Sequence, residues 1–277
     1  MKPTLLAQLE LSAASGLVHH DGALYVVADD ALEVLETSVG GATRGRYPLT
    51  DAPLGAPVHK ADKADLEALV LIGDQLIALG SGSSPKRRKA LRLRVHGAGN
   101  VRLPAIDLGP LYAALGRHFS ELNIEGAVVR GDEVILAQRG NGARRENALV
   151  FLDRARFEAG LETAVITESC LKRIQPVSLG ALRGVDLTLT DLAVGPSNTL
   201  LFTAAAEDTT NPYDDGEVTG SVVGRVSSDG AIETSSLVEL ASVKWEGVCW
   251  LPSQELRLVA DPDDPRARAP LFGMPWP

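Results

Sequence analysis

The sequence predicts an all-β fold, a five-bladed β-propeller closed by an N-terminal strand that completes the last blade, with one short connecting helix. Three observations carry this. Five segments share one ungapped hairpin pattern, the intervals between them leave room for two further strands each, and 27 glycines and 16 prolines in 277 residues supply the turns. A four-stranded antiparallel sheet repeated radially is a propeller blade. One domain spanning residues 1–277 is expected.

The hairpins are SGLVHHDGALYVVAD from Ser15, EALVLIGDQLIALGS from Glu67, EGAVVRGDEVILAQR from Glu125, DLAVGPSNTLLFTAA from Asp191 and EGVCWLPSQELRLVA from Glu246. Each is a short apolar run, a turn of Asp-Gly, Gly-Asp or Pro-Ser type, and a second apolar run. Three residues after each start come Val18, Val70, Val128, Val194 and Cys249; ten after come Tyr25, Ile77, Ile135, Leu201 and Leu256. These positions read as blade core. The starts lie 52, 58, 66 and 55 residues apart. Outer strands are predicted at 90–95 and 101–106, at 148–152 and 163–167, and at 221–226 and 233–237. The fifth repeat has only 270–274 left, so 4–11 is predicted to supply its fourth strand and close the ring. Leu111, Leu115 and Phe119 at helical spacing predict a helix over 110–121.

Composition excludes several classes. A net charge of −9 makes a poor general binder of nucleic acid or anionic membrane. Aromatics at 4% argue against a stacking surface. Pro3, Gln8 and Glu10 interrupt any apolar run near the start, so neither signal peptide nor spanning helix is expected. Cys170 and Cys249 form no framework, and Cys249 in its apolar run reads as a buried thiol, so a reducing cytoplasm is the expected location. No P-loop, His-Glu-x-x-His or Gly-x-Ser-x-Gly motif occurs. The histidines offer no clear site.

Chemistry is expected where the innermost strands begin, at one mouth of the central channel. Ser15, Glu67, Glu125, Asp191 and Glu246 stand there, four acids within an apolar pattern. Two unit charges about 6 Å apart repel by roughly 3 kcal/mol at an effective dielectric of 20. The ring needs a divalent cation, carboxyl protonation or neighbouring bases. Calcium matches an all-oxygen set; raised pKa values would suit acid–base work; Lys63, Lys244 and Arg139 are the candidate bases. The expected metal ligands are Glu67, Glu125, Asp191 and Glu246, with Glu125, Glu246 and Arg139 as catalytic candidates.

Loops at the same face extend this reading. Ser81, Ser83, Lys86, Arg87 and Arg88 lie in a Gly/Ser loop followed by bases, suited to holding a phosphate or carboxylate. Glu207, Asp215 and Glu217 belong to an acidic loop; Arg144 and Arg145 can join the basic patch, and Asp261, Asp263 and Asp264 the acidic side. Each loop reads equally as solvated surface.

The openings Asn123-Ile124-Glu125-Gly126, with Arg139-Gly140, and Glu246-Gly247-Val248-Cys249 resemble those of the esterase-like phytase and SdiA-regulated propellers. A related resemblance is to the gluconolactonase (senescence-marker) family, in which a Glu-Gly-Pro opening binds the catalytic divalent metal; Glu246 would match, with Val248 in place of the family's proline. The stretches Asn123–Gly126, Thr190-Asp191 and 215–221 also resemble a bacterial family of uncharacterised propellers. The expectation is a metal-dependent hydrolase of a small anionic ester, a phosphate ester or a lactone. The alternative is a non-catalytic propeller binding a small ligand or a protein partner, with the acids paired to Lys63, Lys244 and Arg139.

Overall fold

The computed structural model describes residues 2–55, 63–96, 99–141, 144–208, 217–227, 232, 238–240 and 243–276. The first strand, β1 (Thr4–Gln8), precedes blade 1, which is β2 (Ala14–His20), β3 (Ala23–Ala28), β4 (Glu33–Ser38) and β5 (Thr43–Pro48). Blade 2 is β6 (Leu66–Ile72), β7 (Gln75–Gly80), β8 (Lys89–Arg94) and β9 (Val101–Asp107), followed by α1 (Gly109–Leu115). Blade 3 is β10 (Ile124–Arg130), β11 (Glu133–Gln138) and β12 (Ala148–Asp153), then α2 (Arg154–Thr163) and β13 (Leu171–Pro176). Blade 4 is β14 (Ala181–Leu182), β15 (Val185–Val194), β16 (Leu200–Asp208), β17 (Glu217–Val226) and β18 (Val238–Leu240). Blade 5 is β19 (Lys244–Leu251), β20 (Glu255–Asp261) and β21 (Pro270–Pro275), with β1 paired on β21. The fold is thus the five-bladed propeller expected, its last blade closed by the N-terminal strand.

The inner strands β2, β6, β10, β15 and β19 each pack on the next, and β19 packs on β2. Five hydrophobic clusters fill the gaps between neighbouring blades among the described residues. Tyr25, Ile77, Ile135, Leu201 and Leu256 sit in these clusters as predicted. Val18, Val70, Val128, Val194 and Cys249 have a second role, because they also line a channel cavity of about 170 Å³. Among the described residues no helix is long and apolar enough to cross a membrane.

Three elements differ from the prediction, the simplest being β1, which ends at Gln8 and not at residue 11. Residues 163–167 are not a strand: the Arg156 N–H donates to Asp153 Oδ1 and starts α2, which buries Phe157 and Leu161 one turn apart. The fourth strand of blade 3 is β13 instead. Helix α1 stops at Leu115, short of the predicted residue 121, although Phe119 remains buried. The predicted strand 233–237 lies outside the described residues.

One irregularity recurs in every blade and shapes the channel mouth. The inner hairpin skips a residue, leaving Ser15, Glu67, Glu125, Thr190 and Glu246 in a β-bulge. The residue that follows is glycine in three blades because the inner strands meet closely there. A Cβ at Gly126 would lie 2.8 Å from Asp191 Cα, and one at Gly16 would lie 2.9 Å from the Leu69 backbone nitrogen. This crowding explains the Glu-Gly openings.

Candidate functional site at the channel mouth

The bulge corrects the ring. Its fourth member is Thr190, and Asp191 occupies the position held by Gly16, Gly126 and Gly247 elsewhere. Two-residue turns join the inner hairpins of blades 1 to 3, whereas five residues separate Val194 from Leu200, so an ungapped comparison slips by one. Two hydroxyls confirm the equivalence. Ser15 Oγ donates to the Leu66 carbonyl at 2.5 Å, and Thr190 Oγ1 donates to the Trp245 carbonyl at 2.6 Å. Each acceptor immediately precedes the next blade's bulged glutamate. The ring is therefore three glutamates and two hydroxyls.

Asp191 points across the blade boundary and accepts from the Val248 N–H at 2.8 Å. Its other oxygen is buried without a hydrogen-bond partner. Burial pushes its pKa well up against the pull of the Val248 and Leu192 amides, with Glu246 and Glu125 adding repulsion. The side chain is a buried acid tied to the backbone of the next blade rather than a free ligand.

Two further columns of the repeat complete the mouth. Two residues before the bulge stand Asp65, Asn123, Thr188 and Lys244, and fourteen after it stand Asp29, Ser81 and Arg139. Together with the ring they form two clusters of different character.

In the first, Arg139 is enclosed by acids. Its Nη1 donates to Glu125 Oε2 at 3.2 Å and lies 3.6 Å from Glu246 Oε1. Nη2 donates to Glu207 Oε2 at 2.5 Å, and Nε donates to Thr188 Oγ1 at 3.2 Å. Lys244 adds a second cation, 3.2 Å from Glu246 and 3.5 Å from Asp263. Asn123 Nδ2 donates to Glu125 Oε1 at 2.7 Å. Burial draws the Arg139 pKa down, but Glu125, Glu246 and Glu207 outweigh it, and the guanidinium stays charged. Burial raises Glu125 to about 7 despite Arg139, with Glu246 contributing. Glu246 is also raised by burial, against Lys244 and Arg139. A guanidinium thus stands among carboxylates that the ring reading offered to a metal. Each of its three nitrogens already donates to Thr188, Glu125 or Glu207, so Arg139 serves the hub acids rather than standing open to a substrate anion.

The second cluster is acidic. One carboxylate oxygen from each of Asp29, Asp65 and Glu67 lies within 4.8 Å of the others. Lys63 Nζ donates to Asp29 Oδ2 at 2.9 Å, and Arg87 Nη1 lies 2.8 Å from Asp65 Oδ2. Ser81 Oγ also donates to Asp65, at 2.5 Å. No hydrogen bond or ion pair from the described residues reaches the half-buried Glu67 side chain. Burial pushes its pKa well up, as do Glu125, Asp65, Asp29 and Glu246. Of the four predicted metal ligands, only Glu67 belongs to this trio.

The loop residues divide. Ser83 accepts from Arg87 Nη1 at 2.9 Å, Lys86 is exposed, and Arg88 turns toward a separate cleft. Of the acidic loop, Glu207 is buried on Arg139, whereas Asp215 and the side chain of Glu217 lie outside the described residues. Both cysteines are free and buried. The sequence reading missed Asp65 and Asp29 as ligand candidates. Their signal was available, because both stand at fixed offsets from the repeat start.

The sequence profile of a family of unknown function (DUF6929) matches residues 10–274, so the chain belongs to that family. No curated protein sequence matches it. Among solved structures it is similar to the glutaminyl cyclase of Myxococcus xanthus, with 12% identity, a TM-score of 0.55, and 98% of this chain and 95% of that one covered. It is also similar to the tail fibre of Staphylococcus aureus phage P68, with 10% identity and a TM-score of 0.51, over 100% of this chain and 53% of that one. A gluconolactonase of Xanthomonas campestris has 14% identity and a TM-score of 0.44, over 100% of this chain and 95% of that one. At these identities the likeness is one of fold.

Proposed function

We propose that this propeller is a divalent-cation-dependent hydrolase of a small anionic ester, a phosphate ester or a lactone, working at the acidic side of the channel mouth. The observation that carries the reading is the convergence of Asp29, Asp65 and Glu67, with Glu67 left without a partner among the described residues. Hard oxygen donors suit calcium, magnesium or manganese. A bound cation would polarise the ester oxygen and lower the pKa of a bound water. The chain's own residues orient the site: Lys63 holds Asp29, while Ser81 and Arg87 hold Asp65. The blade-2 loop carries Lys86, Arg87 and Arg88, whose summed charge would favour an approaching anion.

A second reading, a non-catalytic propeller that binds a small ligand or a protein, is favoured by the hub ion pairs. Lys63, Lys244 and Arg139 all engage acids, as that alternative requires.

Thermal unfolding of protein stripped with EDTA, then supplied with calcium, magnesium, manganese or zinc, separates the two. Saturation at 100 times the dissociation constant adds about 2.7 kcal/mol, or several degrees in Tm. The hydrolase reading expects a saturable rise with one ion, lost in Glu67→Gln, followed by turnover of p-nitrophenyl phosphate or a lactone. No rise with any ion sinks it and leaves the binding reading.

A further inference from the structure

A cleft of about 220 Å³ lies beside the channel mouth, between the blade-2 hairpin loop and the segment that follows α1. Its lining includes Gly82, Ser83, Arg88, Phe119, Glu121 and Leu122. Arg88 is its distinctive member. Arg87 is spent on Asp65 and Ser83, but the Arg88 side chain makes no hydrogen bond or ion pair with the described residues. Its Nε is sealed from solvent without a partner. The terminal Nη groups are not sealed in this way and have no acceptor among the described residues, so they are what an acceptor entering the cleft would meet.

The walls narrow the ligand class. Phe119 and Leu122 are 8% and 7% exposed and form an apolar side. A Cβ at Gly82, with φ +82°, would lie 2.6 Å from the Tyr112 ring, so the loop is seated on the protein rather than free to collapse inward. Two carboxyl side chains stand at the same rim. Glu121 lines the cleft, and Glu146 accepts from the Ser120 N–H at 2.8 Å and its hydroxyl at 2.7 Å. Phe119 and Leu122 offer an organic anion an apolar surface that inorganic phosphate cannot use. A guanidinium fork matches the two oxygens of a carboxylate.

We propose that this cleft binds a small monocarboxylate, its carboxylate on Arg88 and a short apolar tail against Phe119 and Leu122. The site is separate from the Asp29–Asp65–Glu67 trio and needs no metal, so it is tested in EDTA. Sodium butyrate and inorganic phosphate are titrated at pH 7.5 into the full chain, followed by the NMR signal of the Arg88 Nε–H and by Tm. The expected result is saturable butyrate binding that moves the Arg88 signal, with phosphate weaker. Arg88→Met weakens butyrate about tenfold or more. Arg88→Lys, which keeps the charge and loses the fork, also weakens it and serves if the methionine variant fails to fold. Absence of butyrate binding, unchanged affinity in either folded variant, or tighter binding of phosphate than of butyrate overturns the proposal.

Discussion

Replacing Arg139 with methionine tests the reading that one guanidinium balances the hub. The side chain is 4% exposed and lies against Glu125, Glu207 and Glu246. Removing one partner of a buried ion pair costs about 3–5 kcal/mol, because the opposite charge stays buried. In a chain of this size each kcal/mol moves Tm by about 2–4 °C, so the midpoint should fall by roughly 6–20 °C. The loss depends on pH with a definite sign. Without the cation, the folded-state pKa values of Glu125 and Glu246 rise further above their unfolded values, so the penalty is small where these two are protonated and grows as pH rises through about 7. Urea unfolding followed by circular dichroism at pH 5.5 and pH 8 measures both. Adding Glu207→Gln should restore part of the loss, since the double variant leaves one fewer stranded charge. A loss under about 1 kcal/mol at pH 8, or equal losses at the two pH values, would refute the argument.

Two other outcomes follow from the same geometry. Burial raises Glu125 from 4.5 to about 7, worth roughly 3 kcal/mol of stability that is fully present below 4.5 and lost as pH rises through 7. Glu125→Gln should flatten the stability profile between pH 5 and pH 8, and parallel profiles for variant and parent would show the rise to be absent. Thr190→Val keeps the shape but leaves the buried Trp245 carbonyl without its donor, at a cost of about 1–3 kcal/mol in chemical unfolding; no change there would detach Thr190 from the ring of Ser15 and the three glutamates.

Most of the fold was legible because its signals are local. Apolar runs flanking a short turn specify each inner hairpin within about fifteen residues, and five copies reinforce one another. The misread strand at 163–167 fell where a helix cap at Asp153, rather than strand patterning, governs the chain. The ring's fourth member was misplaced by the longer turn between Val194 and Leu200, which shifts the apparent register without altering the apolar pattern.

By itself the sequence determined that acids gather where the inner strands begin, and that Lys63, Lys244 and Arg139 stand near enough in the repeat to oppose them. Tertiary structure alone decided the pairing. Arg139 comes from blade 3 and meets Glu207 of blade 4 and Glu246 of blade 5, while Asp29 of blade 1 meets Asp65 and Glu67 at the start of blade 2. These partners converge because ring closure brings the same edge of every blade to one axis. Coulomb energy there depends on distances of a few ångströms, which sequence separation does not encode.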